Sequence, residues 1–201
     1  MIKTVLFDLG NVILPFDVMR LANRLTRYTH LPAKDIVDRL WNDHIADFFE
    51  TGKMSPVEYF SHISALCDFK GLSYDEFVPI FNEIFDENLD ITALISNLKG
   101  RYTLGLISNT NAIHVEHITK RYEVLSQFDR QWWSNEAGVR KPDPAIYRMA
   151  LTHFAIQPSE AVFIDDLHTN IAAAQRIGIN AIQYQSFDAL KTELAKLGVH
   201  H

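Results

Sequence analysis

The chain holds one cysteine, Cys67, in 201 residues, so no disulfide can form within it. A chain of this length buries roughly 70% of its unfolded surface and needs no covalent staple. No apolar run approaches the ~18 residues of a membrane span, and the opening Met-Ile-Lys-Thr-Val-Leu-Phe-Asp carries an acid too early for a secretory leader. These absences predict a reducing, cytoplasmic setting and no membrane partner. A basic excess is missing too. Nineteen Lys and Arg stand against 25 Asp and Glu, giving a net charge of −6, and no basic stretch offers a nucleic-acid surface. Internal repeats and low-complexity segments are also lacking. What is present, 47% hydrophobic and 11% aromatic residues, is the composition of one compact domain or of one domain carrying an insertion.

Short apolar runs alternate with helical patterns. Thr4-Val5-Leu6-Phe7 is almost wholly apolar and stops at Asp8, the pattern of a strand buried on both faces. The form recurs at Thr103 to Ile107 before Ser108, and at Ala161 to Ile164 before Asp165. Weaker strands are expected over Phe128–Trp133 and Asn180–Tyr184, with helices near 91–99, 112–125, 144–154 and 169–177. That order predicts an open, doubly wound, mostly parallel α/β sheet.

Residues 17–87 break the alternation with four consecutive helical patterns and no strand. Val37, Leu40, Trp41, His44, Ile45 and Phe48 recur at helical spacing, as do Phe77, Ile80, Phe81 and Ile84. Ser55-Pro56-Val57-Glu58 and Ser73-Tyr74-Asp75-Glu76 each read as a capping box. The block therefore reads as a helical bundle inserted after the first strand, with 1–16 and 88–201 forming the α/β core. Its aromatics, Trp41, Phe48, Phe49, Tyr59, Phe60, Phe77, Phe81 and Phe85, are expected mainly in the bundle core. His114 and His117 lack a third ligand and read as solvated surface, Cys67 as a small buried hydrophobe, and Trp132 and Trp133 as packing at the sheet edge.

In an open α/β sheet the carboxyl ends of the strands form the ligand crevice. Asp8, Ser108, Asn109, Asp165 and Asp166 all fall there, and Lys141 in Arg-Lys-Pro-Asp-Pro can join them from a helix start. Three converging carboxylates repel one another, so they need a cation or raised pKa values. A hard divalent ion, Mg²⁺ first among them, resolves this, and Ser108, backbone N–H groups and Lys141 can then hold a phosphate while a carboxylate attacks it. Taken singly, Asp8 also reads as a cap or turn residue, and Ser108 with Asn109, like Asp165 with Asp166, as caps of the helix that follows.

The four stations together resemble the haloacid dehalogenase superfamily: Leu6-Phe7-Asp8-Leu9-Gly10-Asn11-Val12, Leu106-Ile107-Ser108-Asn109-Thr110-Asn111, Arg140-Lys141-Pro142-Asp143-Pro144, and Phe163-Ile164-Asp165-Asp166-Leu167-His168-Thr169-Asn170. The wording is similar to the bacterial α-D-glucose-1-phosphate phosphatase group and to the N-terminal phosphatase domain of soluble epoxide hydrolases. The resemblance implies a Rossmannoid core with an α-helical cap at 17–87, and a Mg²⁺-dependent phosphatase that acts on a small phosphorylated metabolite through an aspartyl-phosphate. It implies Asp8 as nucleophile and metal ligand, the carbonyl of Gly10 and Asp166 as further ligands, and Asp165 and Asn170 in support. Ser108, Asn109 and Lys141 are implied to hold the phosphoryl group. Oligomeric state stays open.

One position departs from the family pattern. Most of its phosphatases carry a second Asp two residues after the nucleophile as general acid/base, and here that residue is Gly10. General acid–base help is worth about 10²–10⁴ in rate, so the sequence predicts a preference for anomeric, acyl or aryl phosphates, with Asp17 or His168 as substitute acids. Gly10 and the neutral Asn170 also keep open a non-catalytic, ligand-binding module. A metal-independent 2-haloacid dehalogenase is the other enzyme reading, disfavoured by Asp165 and Asp166. A receiver-type signalling domain is disfavoured by the helical block.

Overall fold

In the computed structural model, which describes residues 1–41 and 44–200, β1 (Thr4–Phe7) leads into five helices. These are α1 (Val18–Leu25), α2 (Ala33–Trp41), α3 (His44–Glu50), α4 (Pro56–Leu66) and α5 (Tyr74–Asn82). There follow α6 (Leu89–Leu98), β2 (Thr103–Ser108), α7 (Ala112–Arg121), β3 (Arg130–Trp133), α8 (Ser134–Ala137), α9 (Pro144–Phe154), β4 (Ala161–Asp165), α10 (His168–Arg176), β5 (Asn180–Gln183) and α11 (Phe187–Lys196).

The strands form one parallel sheet in the order β3-β2-β1-β4-β5. Alternation along β1 sends Val5 and Phe7 to one face, where they meet α6, α7 and α11 through Leu94, Leu98, Ile118 and Leu190. Leu6 goes to the other face, packing with Ile146, Tyr147 and Ile171 of α9 and α10. Chain progression reverses between β1 and β4, so their carboxyl ends form a topological switch point. Phe7 sits opposite Ile164, and the Asp8 N–H donates to the Ile164 carbonyl at 2.8 Å. That register sets Asp8 beside Asp165.

The helices α1 to α5 share a core of their own around Leu21, Leu40, Phe49, Tyr59, Phe77 and Phe81. Both capping boxes form, Ser55 with Glu58 and Ser73 with Glu76. The segments leading in and out run side by side: Phe16 bridges Phe85, Asp17 N–H donates to the Ile84 carbonyl at 2.9 Å, and Asp86 N–H donates to the Pro15 carbonyl at 2.8 Å.

Several local expectations shift. Five helices replace four patterns because the apolar positions from Val37 to Phe48 belong to two helices, while residues 42 and 43 lie outside those described, as does His201. Phe48 is 48% exposed rather than core, since its neighbour Phe49 takes the inward position and stacks on Tyr59. The helix expected over 112–125 stops at Arg121 and continues as a 3₁₀ turn over Glu123–Gln127. Helix α11 adds a further element after β5 and buries Leu190 and Leu194.

Candidate active site

Asp8 follows β1 and is almost fully buried. Its Oδ1 accepts the Leu9 N–H at 2.7 Å and lies 2.7 Å from Lys141 Nζ. The same ammonium lies 2.7 Å from Asp165 Oδ2 at the end of β4. Lys141 is 1% exposed, so its ammonium is held between two carboxylates away from bulk water. Its backbone is fixed as firmly: Lys141 N–H donates to Asn109 Oδ1 at 2.7 Å, and Asn109 Nδ2 donates to the Lys141 carbonyl at 2.8 Å. The Asn109 amide thus ties the end of β2 to the lysine.

Asp165 is saturated. Asn170 Nδ2 donates to both its oxygens, at 2.9 and 3.0 Å, and the Leu167 N–H donates to Oδ1 at 2.8 Å. Asp166 is half-buried, and its Oδ2 accepts from Asn11 Nδ2 at 3.1 Å. Asn11 reaches it from a left-handed backbone conformation (φ 56°), which Asn tolerates better than most residues. A short polar side chain directly after a Gly is the sequence signal for this contact.

Carboxylate oxygens of Asp8, Asp165 and Asp166 lie within 4.8 Å of one another. Three acids against one ammonium leave an excess of negative charge. Burial pushes the Asp8 carboxyl up to about 7 against the pull of Lys141, with Asp165 adding to the rise. Burial also raises Asp166, partly opposed by the Asn11 hydrogen bond. For Lys141, burial disfavours the charge, but Asp8 and Asp165 together more than reverse this and keep it protonated. The donor set suits a hard cation, because Asp8 Oδ2 takes no hydrogen bond among the described residues and Asp166 takes only one, from Asn11.

The loops that follow β1 and β2 line a cavity of about 80 Å³. Gly10, Ser108, Asn109, Thr110 and Asn111 form its floor, Phe16, Trp41, Ile84 and Phe85 its apolar wall, and Glu50 and His114 its polar positions. His114 was expected on the surface. It is instead buried, stacked on Phe81 with ring centres 4.4 Å apart and edge-on to Phe85 at 4.9 Å, with Nδ1 3.0 Å from Asn82 Oδ1. Burial drives its pKa down to about 3, so the ring is neutral. Its helical face is covered by α5, a neighbour that periodicity within α7 cannot show.

The last turn of α3 is docked against the core. The buried Ser134 donates from Oγ to the Glu50 carbonyl at 2.6 Å and accepts the Thr110 N–H at 2.9 Å. Arg140 pairs with Asp47 and with Glu50. Gly52 adopts φ +66°, and a Cβ there would stand 2.1 Å from the Asn135 carbonyl oxygen. Gly52→Ala is therefore expected to destabilise the protein by about 1–3 kcal/mol, read as a lower denaturant midpoint.

A carboxylate and a buried lysine meet at the switch point of this parallel sheet, which is a Rossmannoid fold. The family model for haloacid dehalogenase-like hydrolases matches residues 2–178, and the chain belongs to that family. It is 27% identical to the D-ribitol-5-phosphate phosphatase of Bacteroides thetaiotaomicron over 96% of this chain and 97% of that protein. It is 24% identical to a sesquiterpene phosphatase of Aspergillus oryzae over 97% and 96% of the two chains. Among solved structures, a haloacid-dehalogenase-family enzyme of B. thetaiotaomicron in complex with magnesium and inorganic phosphate superposes with a TM-score of 0.82. That pair is 26% identical and covers 92% of this chain and 95% of the other.

Proposed function

We propose that the chain is a Mg²⁺-dependent phosphatase of small phosphorylated metabolites, sugar phosphates such as a sugar-1-phosphate among them, acting through a phosphorylated Asp8. The observation that carries this reading is the buried Asp8–Lys141–Asp165 array beside the freer Asp166. Two relatives that match along nearly the whole of both chains are named phosphatases, and one similar structure holds magnesium and phosphate.

Asp8 and Asp166, with the carbonyl of Gly10, would hold the metal. When bound, it neutralises charge on the phosphoryl oxygens and on the acids themselves. Lys141 places Asp8 and balances phosphoryl charge, and Ser108 and the loop after it cradle the phosphoryl group. Asp165 and Asn170 orient Lys141, and the Asn109 amide fixes its backbone. Helices α1 to α5, as a cap over 17–87, close the pocket, whose small volume and aromatic wall favour a compact alcohol portion. A 2-haloacid substrate would bring its own carboxylate to three carboxylates and one ammonium, which disfavours dehalogenation.

Phosphate release should be measured over sugar-1-phosphates, sugar-6-phosphates, acyl phosphates and nucleotides, with and without Mg²⁺. Metal-dependent release from the smaller esters is the expected result. Release of chloride from a 2-haloacid without metal, or metal binding with no turnover of any ester, would overturn the reading.

A further inference from the structure

An alkyl or sugar phosphate cannot part with its alcohol easily unless the leaving oxygen gains a proton, and the intermediate then needs a water that loses one. Among the described residues, the acids at the site are almost all committed. Asp8 is the nucleophile of the proposed reaction, Asp165 is saturated by Lys141 and Asn170, and Asp166 would hold the metal. Asp17 spends Oδ1 capping α1 through the Met19 N–H, and His168 is exposed at the start of α10, outside the cavity lining. Position 10 has no space to spare, since a Cβ on Gly10 would meet Phe16 Cε1 at 3.0 Å. Among the described residues, the only carboxylate that lines the cavity is Glu50.

We propose that Glu50, carried on α3 and clamped to the loop after β2 by Ser134, is the general acid and base of this site. The inference rests on the phosphatase reading and deepens it. In the first step an Asp8 oxygen bonds to phosphorus, the bond from phosphorus to the substrate's bridging oxygen breaks, and Glu50 gives that oxygen its proton. In the second step the Glu50 carboxylate takes a proton from water, the water oxygen bonds to phosphorus, and the bond to Asp8 breaks. Inorganic phosphate, the Asp8 carboxylate and protonated Glu50 result.

Three observations support the assignment. Glu50 Oε2 is closed to solvent and makes no hydrogen bond, although Arg140 Nη1 lies 3.1 Å away. Burial raises the Glu50 pKa, opposed by Arg140 from the segment before α9 and by the more distant Lys141, and aided by Asp47 on its own helix. The backbone that carries it is held by Ser134 and by the close approach of Gly52 to Asn135, so the last turn of α3 is fixed against the core.

The test compares the wild type with Glu50→Gln, which keeps the side-chain volume. The substrates are p-nitrophenyl phosphate, whose leaving group needs no proton, and the best alkyl or sugar phosphate of the panel above. In the variant, turnover of the alkyl ester should fall by about 10²–10⁴ with no burst. The aryl ester should give a rapid burst of one nitrophenolate per enzyme followed by slow turnover, because the first step survives and hydrolysis of the phosphoenzyme does not. The acidic-side inflection of the kcat profile should also vanish. Equal losses on both esters without a burst would mark Glu50 as structural only, and unchanged rates would exclude it; either overturns the proposal. A wild type that favours aryl and anomeric esters as strongly as the variant does would overturn it too. A wild type inactive on every ester removes the phosphatase reading itself, and this proposal with it.

Discussion

Asp8→Asn is expected to cut phosphate release by ~10⁴-fold or more while leaving the protein as stable as the wild type or more so. The chemical part follows from the reaction: an amide oxygen is no nucleophile toward phosphorus, and the groups around it act as a unit rather than in sum. The stability part follows from the surroundings. Asn keeps an oxygen for the Leu9 N–H and for Lys141 Nζ, each 2.7 Å from Oδ1 in the native site. It also removes one of three crowded carboxylates.

The pH dependence gives the sign. The folded Asp8 pKa, about 7, lies above its ordinary 3.8, so between these values the native state binds more protons than the unfolded state. Stability contributed by that group therefore falls as pH rises across this window and levels off above it. Metal-free wild type should lose ground to Asp8→Asn from pH 4 to pH 8 in thermal unfolding. Added Mg²⁺ should restore the wild type above pH 7 and do little near pH 4, where protons hold the site. An unfolding midpoint for Asp8→Asn well below wild type at pH 8 without metal would show that the acid cluster is not strained.

Much of this was legible from residues alone, for reasons that particular elements make plain. The strands at Val5, Leu106 and Phe163 are buried on both faces and so read as unbroken apolar runs, each ending in a polar residue. A sheet built from such runs brings Asp8, Ser108 and Asp165 to one edge whatever the intervening chain does. Lys141 was legible through its flanking residues, but its double contact with Asp8 and Asp165 depends on the Asn109 tie across the loops. Glu50, Ser134 and His114 were not legible as site residues, because each acquires its role from a contact between the helical block and the core. Glu50 reads as one more acid in a helix, and only the docking of α3 turns it toward the cavity. The surface reading of His114 failed for the same cause, since α5 supplies the rings that bury it.

Lys141→Met should produce the second large effect, and it separates charge from packing. Methionine keeps much of the aliphatic stem that runs past Phe163, whose ring centre lies 5.2 Å from Nζ. It removes the cation that, among the described residues, alone touches both Asp8 and Asp165. Removing one partner of a buried ion pair costs about 3–5 kcal/mol, since the remaining charge stays desolvated. For a chain of this length that corresponds to a midpoint lower by roughly 10 °C. The deficit should be largest at alkaline pH, where Asp8 is ionised, and should shrink as acid neutralises it. Adding Asp165→Asn to Lys141→Met should recover part of the lost stability by removing one orphaned charge, yet recover none of the phosphate release, which needs the ammonium beside the phosphoryl group. Metal offers a further control: Mg²⁺ should stabilise Lys141→Met at least as much as it does the wild type, because the cation then faces acids with no competing lysine. If the single variant melts at the wild-type temperature at pH 8, the buried pair contributes nothing to the fold. If the double variant regains activity, Lys141 serves only to hold Asp165 in place.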